Sequence, residues 1–407
     1  MTKQLTDSVT FRHGATISSR IVQPPMLTNS GKDGFVTEDT LAYYGARSQS
    51  AGMIIVEYTG SSENGWPSRS WAADREQLAI FDDKFLPGMT KLATAIKKDG
   101  NKALLQICHT GREANYRATM GKPVYAPSAM DVPFLDYKLH ELSDEQIRQI
   151  IKDFGTATER AIKAGFDGVE IHGANHYLLQ EFFSKWSNRR TDHWGGSLEK
   201  RMNFAKEVCA EVMRVVKQEA PKDFIVGYRI SPEEIHDTVG YDWHESIQLI
   251  KALTDQFDFD YVHLSLPKYD TKPKDSDRTF GELFQPVLNG AKEIIVGDVM
   301  SEEAAKDALN YTDLVAVGRA ILIDPEFGLK IKEGRGDQIV HEISPDQVKA
   351  AKLTPGLINL FSDMKMEPHL PGRESIAHLH EAGSLNAAVI HNGTKSDISD
   401  LEQGTLK

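Results

Sequence analysis

Cysteine is scarce in this chain, with only Cys108 and Cys209 among 407 residues. Two thiols exclude an iron–sulfur cluster, a four-thiolate zinc site and a secreted disulfide framework. Both lie in apolar runs (LLQICHTG and KEVCAEVM), which marks them as buried free thiols. Long apolar stretches are also missing, since none approaches the ~18–20 residues that a membrane helix needs. The opening MTKQLTDSVTFRHG holds no apolar core of signal-peptide length, so cytoplasmic residence without a membrane partner is expected. Positive charge is in deficit, with 47 Lys+Arg against 59 Asp+Glu and a formal net charge of -12. Nucleic-acid binding depends on Lys and Arg meeting phosphates, so no nucleic-acid partner is expected. An anionic ligand would have to be caught by local donors.

What is present is ordinary globular material, 40% hydrophobic, arranged as a repeated alternation of strands and helices. Short β-branched runs at residues 21–26, 53–58, 103–107, 168–172, 224–230, 261–264, 293–297 and 314–318 predict eight buried parallel strands. Helical spacing falls between them, at 37–50, 86–98, 198–218, 243–257 and 301–309. Ser143 and Gln146 resemble a capping box ahead of a further helix running to about Lys163. Glycine turns join helix to strand in AIKKDGNKALLQI and AIKAGFDGVEI. A dinucleotide-binding open sheet would want G-x-G-x-x-G after the first strand, which instead ends in PPMLTN. A (β/α)8 TIM barrel is therefore the expected fold, over residues 1–335. Long insertions follow the second and third strands, at 61–85 and 110–142, and residues 336–407 form a C-terminal extension, partly ordered, with a helix near 345–353.

Polar residues collect at the strand ends. Gly297-Asp298 and Gly318-Arg319 follow the seventh and eighth strands, where small residues let backbone N–H groups approach a phosphate; either pair also reads as a plain turn. His172 and Asn175 follow the fourth strand three residues apart. Two neutral donors so placed suit a carbonyl oxygen that gains charge as hydride attacks, with the Tyr177 phenol beside them as a proton source. A core histidine with a helix-capping asparagine is the other interpretation. His109, His172 and His176 have spacings that also occur in metal-dependent hydrolases, but no carboxylate joins them. Arg229 ends an otherwise apolar strand, and a buried cation needs an anionic or electron-rich partner.

Taken in order, these motifs resemble the Old Yellow Enzyme family of NADH:flavin oxidoreductase and ene-reductase barrels, over roughly residues 8–335. The motifs are SRIVQPPM, MIIVEYTG, LLQICHTGR, IHGANHYLLQEFFS, NRRTDHWGGSLEKR, VGYRISP, IVGDV and VGRAILIDPEF. The resemblance implies an FMN enzyme that takes hydride from NADH or NADPH and delivers it to a small-molecule acceptor, in a monomer or a homo-oligomer. It places backbone of Pro25, Met26, Leu27 and Tyr58 along the flavin ring and Gln106 on its pyrimidine part. Arg229 would balance the N1/O2 edge, while Gly297, Asp298, Gly318 and Arg319 would hold the phosphate. His172 and Asn175 match the family's carbonyl-binding pair and Tyr177 its proton donor. Leu27 stands where the family often has Cys or Thr, followed by Thr28. Tyr58 stands where Gly or Ala is common, and its bulk should narrow the pocket. A flavin-binding redox sensor without catalysis remains the alternative within this resemblance.

Overall fold

The computed structural model describes residues 3–68, 74–133, 135–365 and 370–381. Eight parallel strands close into a barrel: β1 Ile21–Gln23, β2 Met53–Gly60, β3 Lys102–Cys108, β4 Gly168–Gly173, β5 Ile225–Ile230, β6 Tyr261–Ser265, β7 Lys292–Val296 and β8 Leu314–Ala316. Each pairs with its neighbours in sequence, and β8 returns to β1 through Val315–Ile21 and Ala316–Val22. The main helices are α1 Glu38–Ala46, α2 Leu86–Lys97, α3 Asp144–Lys163, α4 Asn203–Glu219, α5 Trp243–Gln256 and α6 Glu302–Ala308. The expected 198–218 helix is broken at Met202, whose φ of -78° and ψ of -16° stay right-handed helical.

Side chains alternate across each strand, and this alternation builds two cores. Outward residues such as Val56, Leu105, Ile171, Val226 and Leu264 pack under Leu92, Ile150, Phe154, Val208 and Leu253 of the helices. Inward residues toward the strand starts are apolar: Val22, Met53, Ile55, Leu104, Ile225, Tyr261, Ile294 and Leu314. Removing a side chain such as Leu104 from this interior costs roughly 2–5 kcal/mol. The Tyr261 ring fits only because position 227 is glycine, where a Cβ would lie 2.1 Å from it. Val9, Phe11, Ala15 and Ile17, from a small hairpin before β1, join the same cluster and close that end of the barrel.

The opposite end is open to insertions. The segment after β3 carries two three-residue strands, Val124–Ala126 and Leu139–Glu141, over a small core of its own that includes Ala114, Val132 and Trp186. Beyond β8, helices Pro345–Ala350 and Pro355–Ser362 pack on the barrel, with Leu357, Phe361, Leu370 and Ile376 inside the main core. Buried Arg47 of the turn after α1 ties this segment down, donating to the carbonyls of Tyr43 (2.8 Å), Ala351 (2.9 Å) and Leu322 (2.9 Å). The expectation for residues 382–407 falls outside the described residues. No helix among the described residues is long and apolar enough to cross a membrane.

Candidate active site

The inner positions of the strands change character toward their C-terminal ends. Above the apolar layer come Gln106 on β3, Glu170 on β4 and His263 on β6, all fully buried, then His172, Arg229 and Ser265 one inner step further. Gln106 Nε2 donates to Glu170 Oε1 at 2.6 Å, and Glu170 Oε2 lies 2.9 Å from His263 Nδ1. Arg229 Nη2 donates to Ser265 Oγ at 3.0 Å, and Asn175 Nδ2 reaches the same oxygen at 3.3 Å. Three buried atoms at this level have no hydrogen-bond partner among the described residues: Gln106 Oε1, Arg229 Nε and His263 Nε2.

Burial draws the His172 imidazole well below its usual range, and the Arg229 and His263 charges push the same way. The ring is therefore neutral, and its Nδ1 accepts the Ala174 N–H at 3.4 Å, which leaves the proton on Nε2. His172 is thus an uncharged donor at the barrel mouth. Its ring lies 5.0 Å from that of Tyr177 and 6.0 Å from that of Tyr58, with 4.8 Å between the two tyrosines. Tyr58, Tyr177, Cys108 and Leu27 form one apolar cluster, so the bulk expected of Tyr58 becomes a wall of this mouth. The β2–β3 register shifts between Val56 and Thr59, at the point where Tyr58 leaves the ladder.

The structure brings His172, Tyr177 and Tyr58 together, and joins Asn175 to Arg229 through Ser265. Asn175 and His176 both adopt left-handed backbone, φ +56° and +63°, which costs non-glycine residues of order 1–3 kcal/mol each and gathers at functional sites. Thr28 does not face this cluster: its hydroxyl donates to Glu57 Oε1 at 2.9 Å. At the far side of the mouth, Gly318 lies against the Met26 side chain, and Arg319 pairs with Asp298, itself left-handed at φ +49°. Gly297 sits so near the Lys268–Tyr269 peptide that a Cβ would come within 2.6 Å of it. Pro25 is buried and Leu27 half-buried beside β1.

Glu170, His263 and Ser265 were not singled out from the sequence. Their signal is a two-residue spacing of polar groups inside buried strands: Glu170-x-His172 and His263-x-Ser265. The three histidines considered for metal are tied separately, His109 to Asn64 and Gly111, His176 to Gln180 and Glu234, His172 to Ala174. Among the described residues, no group of three or more His, Cys, Asp or Glu is placed to hold a metal ion.

Residues 7–338 match the family described as NADH:flavin oxidoreductase / NADH oxidase. A probable NADH-dependent flavin oxidoreductase of Bacillus subtilis is 42% identical over 345 residues, 83% of this chain and 90% of that protein. The NADH:acrylate oxidoreductase of Vibrio harveyi is 39% identical over 80% of this chain, which spans 33% of that larger protein. Among solved structures, the old yellow enzyme homologue from Zymomonas mobilis superposes with a TM-score of 0.72 at 27% identity, over 86% of this chain and 99% of the other.

Proposed function

The chain belongs to this NADH:flavin oxidoreductase / NADH oxidase family, an enzyme with FMN as cofactor and NADH or NADPH as reductant, and from that premise we propose that it reduces activated alkenes such as α,β-unsaturated carbonyl compounds. The residues at the mouth fit an isoalloxazine. Its pyrimidine edge offers one imide donor and acceptor atoms on either side, and two of the three buried atoms left over here are complementary to it: one acceptor, Gln106 Oε1, and one donor, Arg229 Nε. Gln106 would meet the imide and Arg229 the N1/O2 edge, which gains negative charge on reduction. Backbone at Pro25, Met26, Leu27 and Tyr58 would line the ring, and Gly297, Asp298, Gly318 and Arg319 would hold the phosphate. Bound there, FMN would supply the hydride-transfer chemistry that links the nicotinamide to the acceptor.

The observation that carries the substrate class is the His172–Tyr177 pair, a neutral imidazole donor 5.0 Å, ring to ring, from a phenol. His172 Nε2, with Asn175, grips the carbonyl oxygen and stabilises the charge that develops there. Tyr177 Oη gives its proton to the α-carbon. The aromatic wall of Tyr58 and Tyr177 keeps water from the reacting carbons. Nicotinamide and acceptor use one place in turn, so the order is ping-pong.

In Tyr177→Phe, flavin reduction by NADH or NADPH should stay near the wild-type rate. Enone reduction should fall about a hundredfold, the usual contribution of a general acid. Stopped-flow measurement of the two half-reactions decides it, and equal losses in both would refute the role.

A further inference from the structure

Glu170 has no part in that scheme, yet it sits fully buried at the centre of the polar layer. Burial pushes its carboxyl up, but the charges of His263 and Arg229 and the His263 hydrogen bond hold it below the ordinary range. It is ionised, so it accepts hydrogen bonds and cannot give them. His263 therefore donates through Nδ1 to one oxygen (2.9 Å), and Gln106 donates through Nε2 to the other (2.6 Å). Both oxygens are engaged and the carboxylate is fixed at two points.

This fixes Gln106 in turn. A side-chain amide has a donor end and an acceptor end of nearly the same shape, and only its partners distinguish them. Against a carboxylate the NH2 end alone fits, so Oε1 must face away. There it is buried and without a partner among the described residues. We propose that Glu170 is a positioning residue for the flavin, locking the Gln106 amide so that an acceptor faces the imide N3–H of the cofactor. The inference rests on FMN occupying the barrel mouth. A neutral, isosteric partner would leave the amide free to turn, and an NH2 group set against N3–H binds poorly because two donors meet.

The test uses purified holoprotein. FMN release on dilution, followed by recovery of flavin fluorescence, gives its Kd. Glu170→Gln should raise that Kd about tenfold, the effect of one buried hydrogen bond left unmade. Gln106→Leu should raise it by a comparable factor, and the double variant no further than Gln106→Leu alone, because the two residues act through one contact. Proton NMR with flavin isotope-labelled at N3 should place the imide proton downfield in the wild type and upfield in Glu170→Gln. Fully additive losses, or an imide proton that stays in place, would overturn the proposal. Where Glu170→Gln does not fold, the wild-type imide proton carries the test: a downfield, slowly exchanging resonance supports the lock, and a position typical of free flavin overturns it. Wild-type protein that holds no FMN refutes the proposed function itself, so the two failures are told apart.

Discussion

Glu57 of β2 is fully buried, with its carboxyl group turned to the backbone N–H and the hydroxyl of Thr28. Burial raises its pKa from 4.5 to about 8, against the pull of the two Thr28 bonds. The folded protein thus holds a proton here that the unfolded chain gives up. The stability this contributes is complete below pH 4.5 and is lost as pH climbs through about 8. Urea unfolding should show stability falling between pH 5 and 8, with a flatter profile in Glu57→Gln; parallel profiles would exclude Glu57 as the group responsible. At this same scale the sequence disclosed residues near strand ends, such as His172 and Arg229, since a polar side chain after an apolar run stands out, whereas Gln106, inside its run, was assigned through the family resemblance. Glu170 and His263 escaped because they lie inside the runs. In a single sequence their inward phase depends on strand register, which pairing with neighbours sets.

Among the elements, α3 was the most legible, because its start carries a chemical signature. Ser143 accepts the Gln146 N–H and the Gln146 side chain accepts the Ser143 N–H, as the capping box predicts. Ser143→Ala should lower unfolding free energy by about 1 kcal/mol with flavin binding unchanged; no loss in urea titration would show that tertiary packing alone sets this terminus. The eight strands were legible from β-branched runs, each bounded by a turn. The strands Val124–Ala126 and Leu139–Glu141 were not, since each is three residues long with no longer β-branched run around it. Helix Pro355–Ser362 was missed for a different reason. Gly356, Leu357, Asn359, Phe361 and Ser362 are all buried, so the helix has no polar stripe to reveal a 3.6-residue repeat. Its Thr354 cap and Pro355 first position were the available signs.

For the molecule as a whole, distant parts of the chain complete one another. The hairpin before β1 seals the apolar end of the barrel, while the described residues after β8 extend the core on its flank. Arg47 holds this second junction through three buried carbonyls. Arg47→Leu should cost about 3 kcal/mol, near 1 for each carbonyl left unpartnered, and a loss under about 1 kcal/mol in urea titration would show that apolar packing holds the segment without it. Such long-range closure was illegible in sequence, where only local pattern is visible. The same closure reaches the mouth. The Thr28 peptide, next to Leu27, gives its N–H to Glu57 and takes the Thr354 hydroxyl on its carbonyl at 2.6 Å, across a separation of 326 residues. The wall beside Leu27 is therefore complete only with residue 354 in place, and Thr354→Val would leave the Thr28 carbonyl without that donor.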